Sequence, residues 1–173
     1  MIRHWLLPLG FGVVLAGAAW QVTLIAFPDV LMSLAVNRVA KGGFNVMRHA
    51  PPPTAKERAI VRPNPDLAFS YCPYDLAKGA VLIDAVPVAG PYWSLSIFDS
   101  HTDTVFVRNG GQAKDKPFRV AIARAGQPIP VGYQLVPVDG NRGIALVRIL
   151  VENRADFPAI DSARQGTKCR SAG

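Results

Sequence analysis

Asp99, His101 and Asp103 occupy every second position of "SLSIFDSHTDTVFV", residues 94–107, inside an otherwise apolar, β-branched run. On one continuous strand their side chains would share a face, because strand side chains alternate with period two. Carboxylate, imidazole and carboxylate on one face are the ingredients of an acid–base site or of a metal site. The competing arrangement is a turn, which Asp, Ser, His and Thr all suit and in which the side chains meet water. A through-running strand is costly: Leu95, Ile97, Val105 and Val107 would continue the same face, so three ionisable groups would interrupt a core-like stripe. Zinc wants further ligands of defined type. The other two histidines, His4 and His49, lie well upstream, so no metal is expected at this segment.

A second polar pair, Asn64 and Asp66, precedes the apolar run "LAFSYC". Asp66 would serve as a general acid or base if a pocket raised its pKa; the plainer role is to cap backbone groups where the chain turns into a strand. Arg148, inside "LVRILVE", has apolar flanks, and an ion pair with Asp66 or Asp99 is the expected way to bury it. The catalytic candidates are therefore Asp66, Asp99 and His101, and the ligand-binding candidates Asn64, Asp103 and Arg148. Nucleophiles are weaker candidates: Ser70, Ser94 and Ser96 lack a Gly-x-Ser-x-Gly setting, and Cys72 has only His101 as a base. No phosphate-binding glycine loop occurs, and no cofactor is expected.

The elements that must position these residues read as β almost throughout. "DLAFSYC", "AVLIDAVPV", "YWSLSIF", "TVFVRNG", "FRVAIA", "GYQLVPV" and "GIALVRILVE" are alternating or β-branched runs separated by turn formers. Asp139-Gly140 between the last two predicts a hairpin. "ADFPAIDSARQG" reads as a short helix, with Asp156 as its cap, Pro158 in its first turn and Gly166 as its stop. The expected fold is mainly β: a sandwich or partly open barrel of about seven strands with a short C-terminal helix.

Trp5 to Phe27 is a run of 23 residues without a charge. Roughly 20 apolar residues cross a hydrocarbon core, so this segment predicts one transmembrane helix. A cleaved signal peptide is the alternative, with Ala16-Gly17-Ala18 as its cleavage site. Against cleavage, the apolar run continues well past that point; a buried core helix is the third reading. Pro28-Asp29 predicts a break, followed by a helix over Val30–Ala40 that Gly42-Gly43 ends. That second helix lies either at the lipid interface or as an extension of the anchor. Residues 49–65 hold five prolines and read as a stiff linker.

The net charge of +7 is uneven: residues 1–62 carry +5 and the other 111 residues only +2. Positive charge beside an apolar helix suits anionic headgroups, and without a nucleic-acid motif no nucleic acid is expected as a partner. The positive-inside rule gives nearly a tie, because Arg3 and the amino terminus compete with Arg38 and Lys41. A start-proximal basic helix favours the domain outside the cytoplasm. The two cysteines, Cys72 and Cys169, are 97 positions apart and are either bridged or two unrelated thiols.

The order Asn64, Asp66, Phe69-Ser70, Asp75-Leu76, Tyr92-Trp93-Ser94 and Asp99, followed by Arg148 and Asp156 in "ALVRILVENRAD", resembles the bacterial "domain of unknown function 1254" family over residues 63 to about 165. Leu67 stands where the family pattern usually has threonine, and Phe69 where tyrosine is commoner. Members of that family often carry a second β-rich domain, numbered 1214. The resemblance therefore implies a short membrane-anchored form working with a separate membrane or periplasmic protein that supplies the 1214-like half; it implies no reaction. The expected organisation is a transmembrane anchor at 1–28, a juxtamembrane helix and proline-rich linker at 29–62, and the β domain at 63–173. The expected location is the bacterial inner membrane, single-pass, with the β domain periplasmic. The expected function is a non-enzymatic interaction or assembly module. The alternative is a hydrolase-like enzyme, or a small-ligand or metal binder, with Asp66, Asp99 and His101 converging in one pocket.

Overall fold

The computed structural model describes residues 4–54 and 63–173. Arg3, Lys56, Glu57, Arg58 and Arg62, all counted in the N-terminal charge balance, and most of the proline-rich linker's second half lie outside the described residues.

The fold is mainly β, with nine strands in two sheets among the described residues. The first sheet has the order β1 (Arg48–His49), β2 (Leu67–Asp75), β8 (Arg142–Leu150), β4 (Trp93–Phe98), β5 (Thr104–Asn109). The second runs β7 (Gln134–Pro137), β6 (Phe118–Ala123), β3 (Val81–Ala85), β9 (Lys168–Ser171). All neighbours are antiparallel except β6 and β7. The seven strands read from alternation are β2 to β8; β1 and β9 are short edge strands, with too few residues to show a period. β1 also extends the domain upstream of Pro63, into the linker expected there.

Alternation sets the core. Ala68, Cys72 and Tyr74 of β2, Trp93, Leu95 and Ile97 of β4, and Ala145, Val147 and Ile149 of β8 point into the sandwich. Val81, Ile83, Val120, Ile122 and Val136 meet them from the second sheet, leaving a packed interior and no open barrel. A disulfide between Cys72 on β2 and Cys169 on β9 joins the two sheets, with Cα atoms 6.4 Å apart. A one-turn helix, α2 (Gly110–Ala113), follows β5, and α3 (Phe157–Arg164) closes one side of the sandwich with Ile160 in the core. Its first turn differs from expectation: Asp156 makes no side-chain cap, and Asn153 instead accepts from the Ala155 amide one turn earlier.

Two further expectations are corrected. Asp139-Gly140 does not close a hairpin, because β7 pairs with β6 in one sheet while β8 joins the other. The glycine supplies the positive φ the turn needs (75°), and a Cβ there would collide with Ser100 Oγ. The turn thus carries the chain between sheets, with Val136 and Val138 buried on its approach. Nor does Pro28 break the helix: α1 runs unbroken from Leu6 to Val39 with Pro28 inside. Proline removes one helical hydrogen bond, and the turns beyond it are held by packing of Met32 and Val36 against the sandwich. At 1.5 Å per residue those 34 residues extend about 51 Å, more than the roughly 30 Å hydrocarbon core. α1 is long and apolar enough to cross a membrane.

Candidate functional site

The segment holding Asp99, His101 and Asp103 is a turn. β4 ends at Phe98, and Asp99 Oδ1 accepts hydrogen bonds from the backbone amides of His101 and Asp103, both at 2.9 Å. The Asp99 amide in turn donates to Asp103 O at 3.0 Å, and Thr102 takes a left-handed conformation (φ 70°). Asp99 is thus buried and committed to its own loop, whereas His101 and Asp103 are exposed. The three do not share a face.

This loop instead receives the long helix. His101 Nε2 lies 3.5 Å from Asp29 Oδ1 on α1, an ion pair when the imidazole is protonated. Ser100 donates to Asp139 O at 3.1 Å, tying the loop to the turn between sheets. A cleft of about 360 Å³ opens where α1 meets the sandwich, lined by Asp29, Ser33, Asn37, Asp75, Asn141 and Arg142 among others. On its wall Arg142 donates to Asp75 Oδ2 at 2.8 Å and stacks on Phe44, 4.9 Å from the ring centre. Burial opposes ionisation of Asp75, but the Ala77 amide and Arg142 together outweigh it and hold the carboxyl below its ordinary value. Asn45, at φ 61°, accepts from the Asp75 amide and donates to Asp75 O, extending the end of β2 as a strand would. These contacts tie the segment leaving α1 to the sheet.

The remaining candidates lie elsewhere. Asn64 Oδ1 accepts from the Asp66 amide at 3.0 Å, so this exposed pair caps the approach to β2. Asp66 precedes β2 beside Val151, and Asp99 follows β4 at the Arg142 end of β8. Along β8, about eight strand residues, roughly 26 Å, separate the two ends, so Asp66 does not converge with Asp99 and His101. Arg148 forms no ion pair with Asp66 or Asp99; its Nη2 donates to Ser96 Oγ at 3.0 Å. Cys72 is in the disulfide and is no thiol nucleophile. Among the described residues, no group of three or more His, Cys, Asp or Glu side chains gathers as a metal site would require.

The sequence reading missed a polar cluster at the sheet edge. His49 Nδ1 lies 2.9 Å from Ser70 Oγ across the β1–β2 pair. Close by, the buried Arg164 donates to Phe69 O and Ala50 O, each at 2.6 Å, and pairs with Asp161. Burial lowers the His49 pKa, the Arg164 charge lowers it further, and Asp161 opposes them. Ser70 is completely buried, so its hydroxyl has no open approach. The only sequence signal for Arg164 was a cation inside a short helix, because its acceptors are carbonyls about a hundred residues away. On the second sheet Asp84 collects Tyr133, Arg119 and Arg170. Burial of Asp84 is outweighed by Arg170 and Tyr133, and its carboxyl also sits below its ordinary value.

Residues 44–171 match the family described as "Protein of unknown function (DUF1254)". The chain belongs to that family. As a DUF1254 protein it is similar in fold to a Vibrio parahaemolyticus protein solved by a structural genomics consortium, with TM-score 0.60 and 16% identity. That match covers 84% of this chain but 37% of the Vibrio chain. An uncharacterised protein from Burkholderia cenocepacia is also similar, with TM-score 0.49, 16% identity, and coverage of 76% of this chain and 35% of that one. No curated protein matches the DUF1254 chain at a significant level.

Proposed function

We propose that this chain is a membrane-anchored, non-enzymatic assembly module. In this reading α1 crosses the bacterial inner membrane, the sandwich stands on the periplasmic side, and it binds a second protein carrying a 1214-like companion domain. The observation that carries the reading is a helix long and apolar enough to cross a membrane, docked on the sandwich through Met32 and Val36. The sandwich also offers unpaired strand edges. β5 and β7 are outermost in their sheets and meet through Arg108 Nη2 donating to Gln134 Oε1 at 2.7 Å. Around them Val107, Leu135 and Val131 are exposed, as a docking edge requires.

A small-ligand or enzymatic role is the competing reading, favoured by the cleft at Asp29, Ser33 and Arg142. Native mass spectrometry of the full-length protein, extracted gently from its own membrane, separates the two. A stable complex with a second protein is the expected result. A lone chain carrying a metal or small molecule would overturn the module reading.

A further inference from the structure

The cleft between α1 and the sandwich gathers polar side chains that the fold itself leaves unused. Asp29, Ser33 and Asn37 follow one another at four-residue spacing, so they stand on one face of α1 and line one wall. Asn141 and Arg142, where the chain enters β8, line the other. Arg142 commits its Nε to Asp75 and its flat face to Phe44, and its two Nη groups make no hydrogen bond among the described residues. The side chains of Ser33, Asn37 and Asn141 make none there either. These groups are open to a ligand: the Asp29 and Arg142 side chains are 51% and 54% exposed. The volume of the cleft, about 360 Å³, falls among small-ligand sites, which span roughly 300–1,000 Å³. Its lining carries both charges, a carboxylate on the helix wall and a guanidinium on the sheet wall. A lone anion would meet Asp29 and Asp75, and a lone cation Arg142, so a ligand bearing both charges fits best.

The place of the cleft says where that ligand comes from. Asp29 is the first charged residue after the uncharged run that ends at Phe27. At 1.5 Å per residue Asp29 lies about 3 Å and Ser33 about 9 Å past Phe27, and a headgroup layer is roughly 5–7 Å thick. With α1 across the bilayer, the cleft opens at the headgroups. Val22 and Ile25 stand seven and four residues before Asp29 on the same face, both exposed, and offer an apolar track to acyl chains. We propose that the cleft holds the headgroup of one phosphatidylethanolamine molecule. In that pose its ammonium donates to Asp29 and Ser33 Oγ, and its phosphate accepts from the Arg142 Nη groups and the Asn141 amide. A primary ammonium has three hydrogens to donate, whereas the quaternary ammonium of choline has none. Guanidinium groups take phosphate oxygens in two-point contact. Such a site goes beyond the module reading and shares only its spanning helix, because a bound lipid is neither substrate nor protein partner.

The test uses the full-length chain in nanodiscs made of equal parts phosphatidylethanolamine, phosphatidylcholine and phosphatidylglycerol. Native mass spectrometry then identifies the lipids that stay on the protein. One phosphatidylethanolamine per chain is expected, retained about tenfold over phosphatidylcholine, as a lost hydrogen bond to a charged group predicts. Ser33→Leu fills the cleft from an exposed position and leaves Met32 and Val36 in place, so it should abolish the preference at an unchanged melting temperature. Asp29→Asn should abolish it too. His101→Gln removes the ion pair with Asp29 but keeps the carboxylate, and should retain the preference. Equal retention of the three lipids would overturn the proposal, as would a Ser33→Leu chain that still selects phosphatidylethanolamine or a His101→Gln chain that does not. Displacement of the lipid by an equal concentration of phosphoethanolamine in water would overturn it as well, since the site would then take a solute. Each of these leaves the module reading standing. A full-length chain that alkaline carbonate strips from its membrane has no spanning helix, which sinks both.

Discussion

His49 shows how one side chain ties stability to pH. Its ring is hydrogen-bonded to Ser70, and its pKa is lowered from 6.5 first by burial and then by Arg164. Above about pH 6.5 the imidazole is neutral in both the folded and unfolded states and contributes no pH dependence. Below that value the unfolded chain takes up a proton that the folded chain resists, so the unfolded state binds more protons and stability falls with pH. The melting temperature should therefore decline from about pH 6.5 downward. His49→Gln, which keeps a polar partner for Ser70, should flatten that limb. Asp75 and Asp84 act lower, because their depressed pKa values withdraw stability only as pH falls below the ordinary carboxylate range. An unchanged slope between pH 6.5 and 5 in His49→Gln would exclude the histidine as its source. None of this was legible in the sequence, where His49 stood beside a proline tract and its hydroxyl partner lay 21 residues on. Asp99 was half legible: its residue types allowed a turn or a strand, and two backbone amides on its carboxylate decide for the turn.

Strands long enough to show alternation were legible, since a two-residue period in apolar residues predicts one buried face, as β8 and most of β2 have. Pairing was not. Asp139-Gly140 provides turn geometry, but whether its flanking strands bond to each other depends on which sheet each one completes. β9 exists because the chain after α3 returns to β3, where Cys169 meets Cys72. The bridge spans 97 positions and links a central strand to an edge strand, so it confines the unfolded chain strongly. Its loss in a Cys72→Ala/Cys169→Ala double variant should cost about 2–4 kcal/mol. Chemical denaturation at fixed pH measures this, and a cost near zero would mean that α3, held by Ile160 and Arg164, fixes β9 unaided. The double substitution avoids leaving a reactive thiol, so the difference reports the crosslink and a modest packing change at two buried positions.

At the scale of the whole molecule the helix is joined to the sandwich through packing as well as through the backbone. Val36 is fully buried and Met32 nearly so, on a helix whose other residues are almost all exposed. The apolar run predicted a span, but nothing in it marked residues beyond Pro28 as a stalk, because one buried face of two side chains gives no readable period. The docking has a physical consequence. A span continuous with a packed stalk fixes the height and tilt of the sandwich relative to its apolar segment, whereas a hinge at Pro28 would leave both free. Val36→Asp places a carboxylate where no water reaches, which costs several kcal/mol unless the helix separates from the sheet. The segment from Ala40 to Asn45 should then open, since Asn45 and Phe44 hold it only while α1 stays docked. Trypsin acting on the full-length chain in detergent should cut after Lys41 at least ~10-fold faster in Val36→Asp, the change expected when local opening becomes easier by about 1.4 kcal/mol. The sandwich itself, whose core is separate from Val36, should keep its melting temperature within about 2 °C. Equal cleavage rates would mean that the helix and sandwich are coupled by the Asn45 and Arg142 contacts alone. A collapsed melting temperature would mean that the stalk is part of the core.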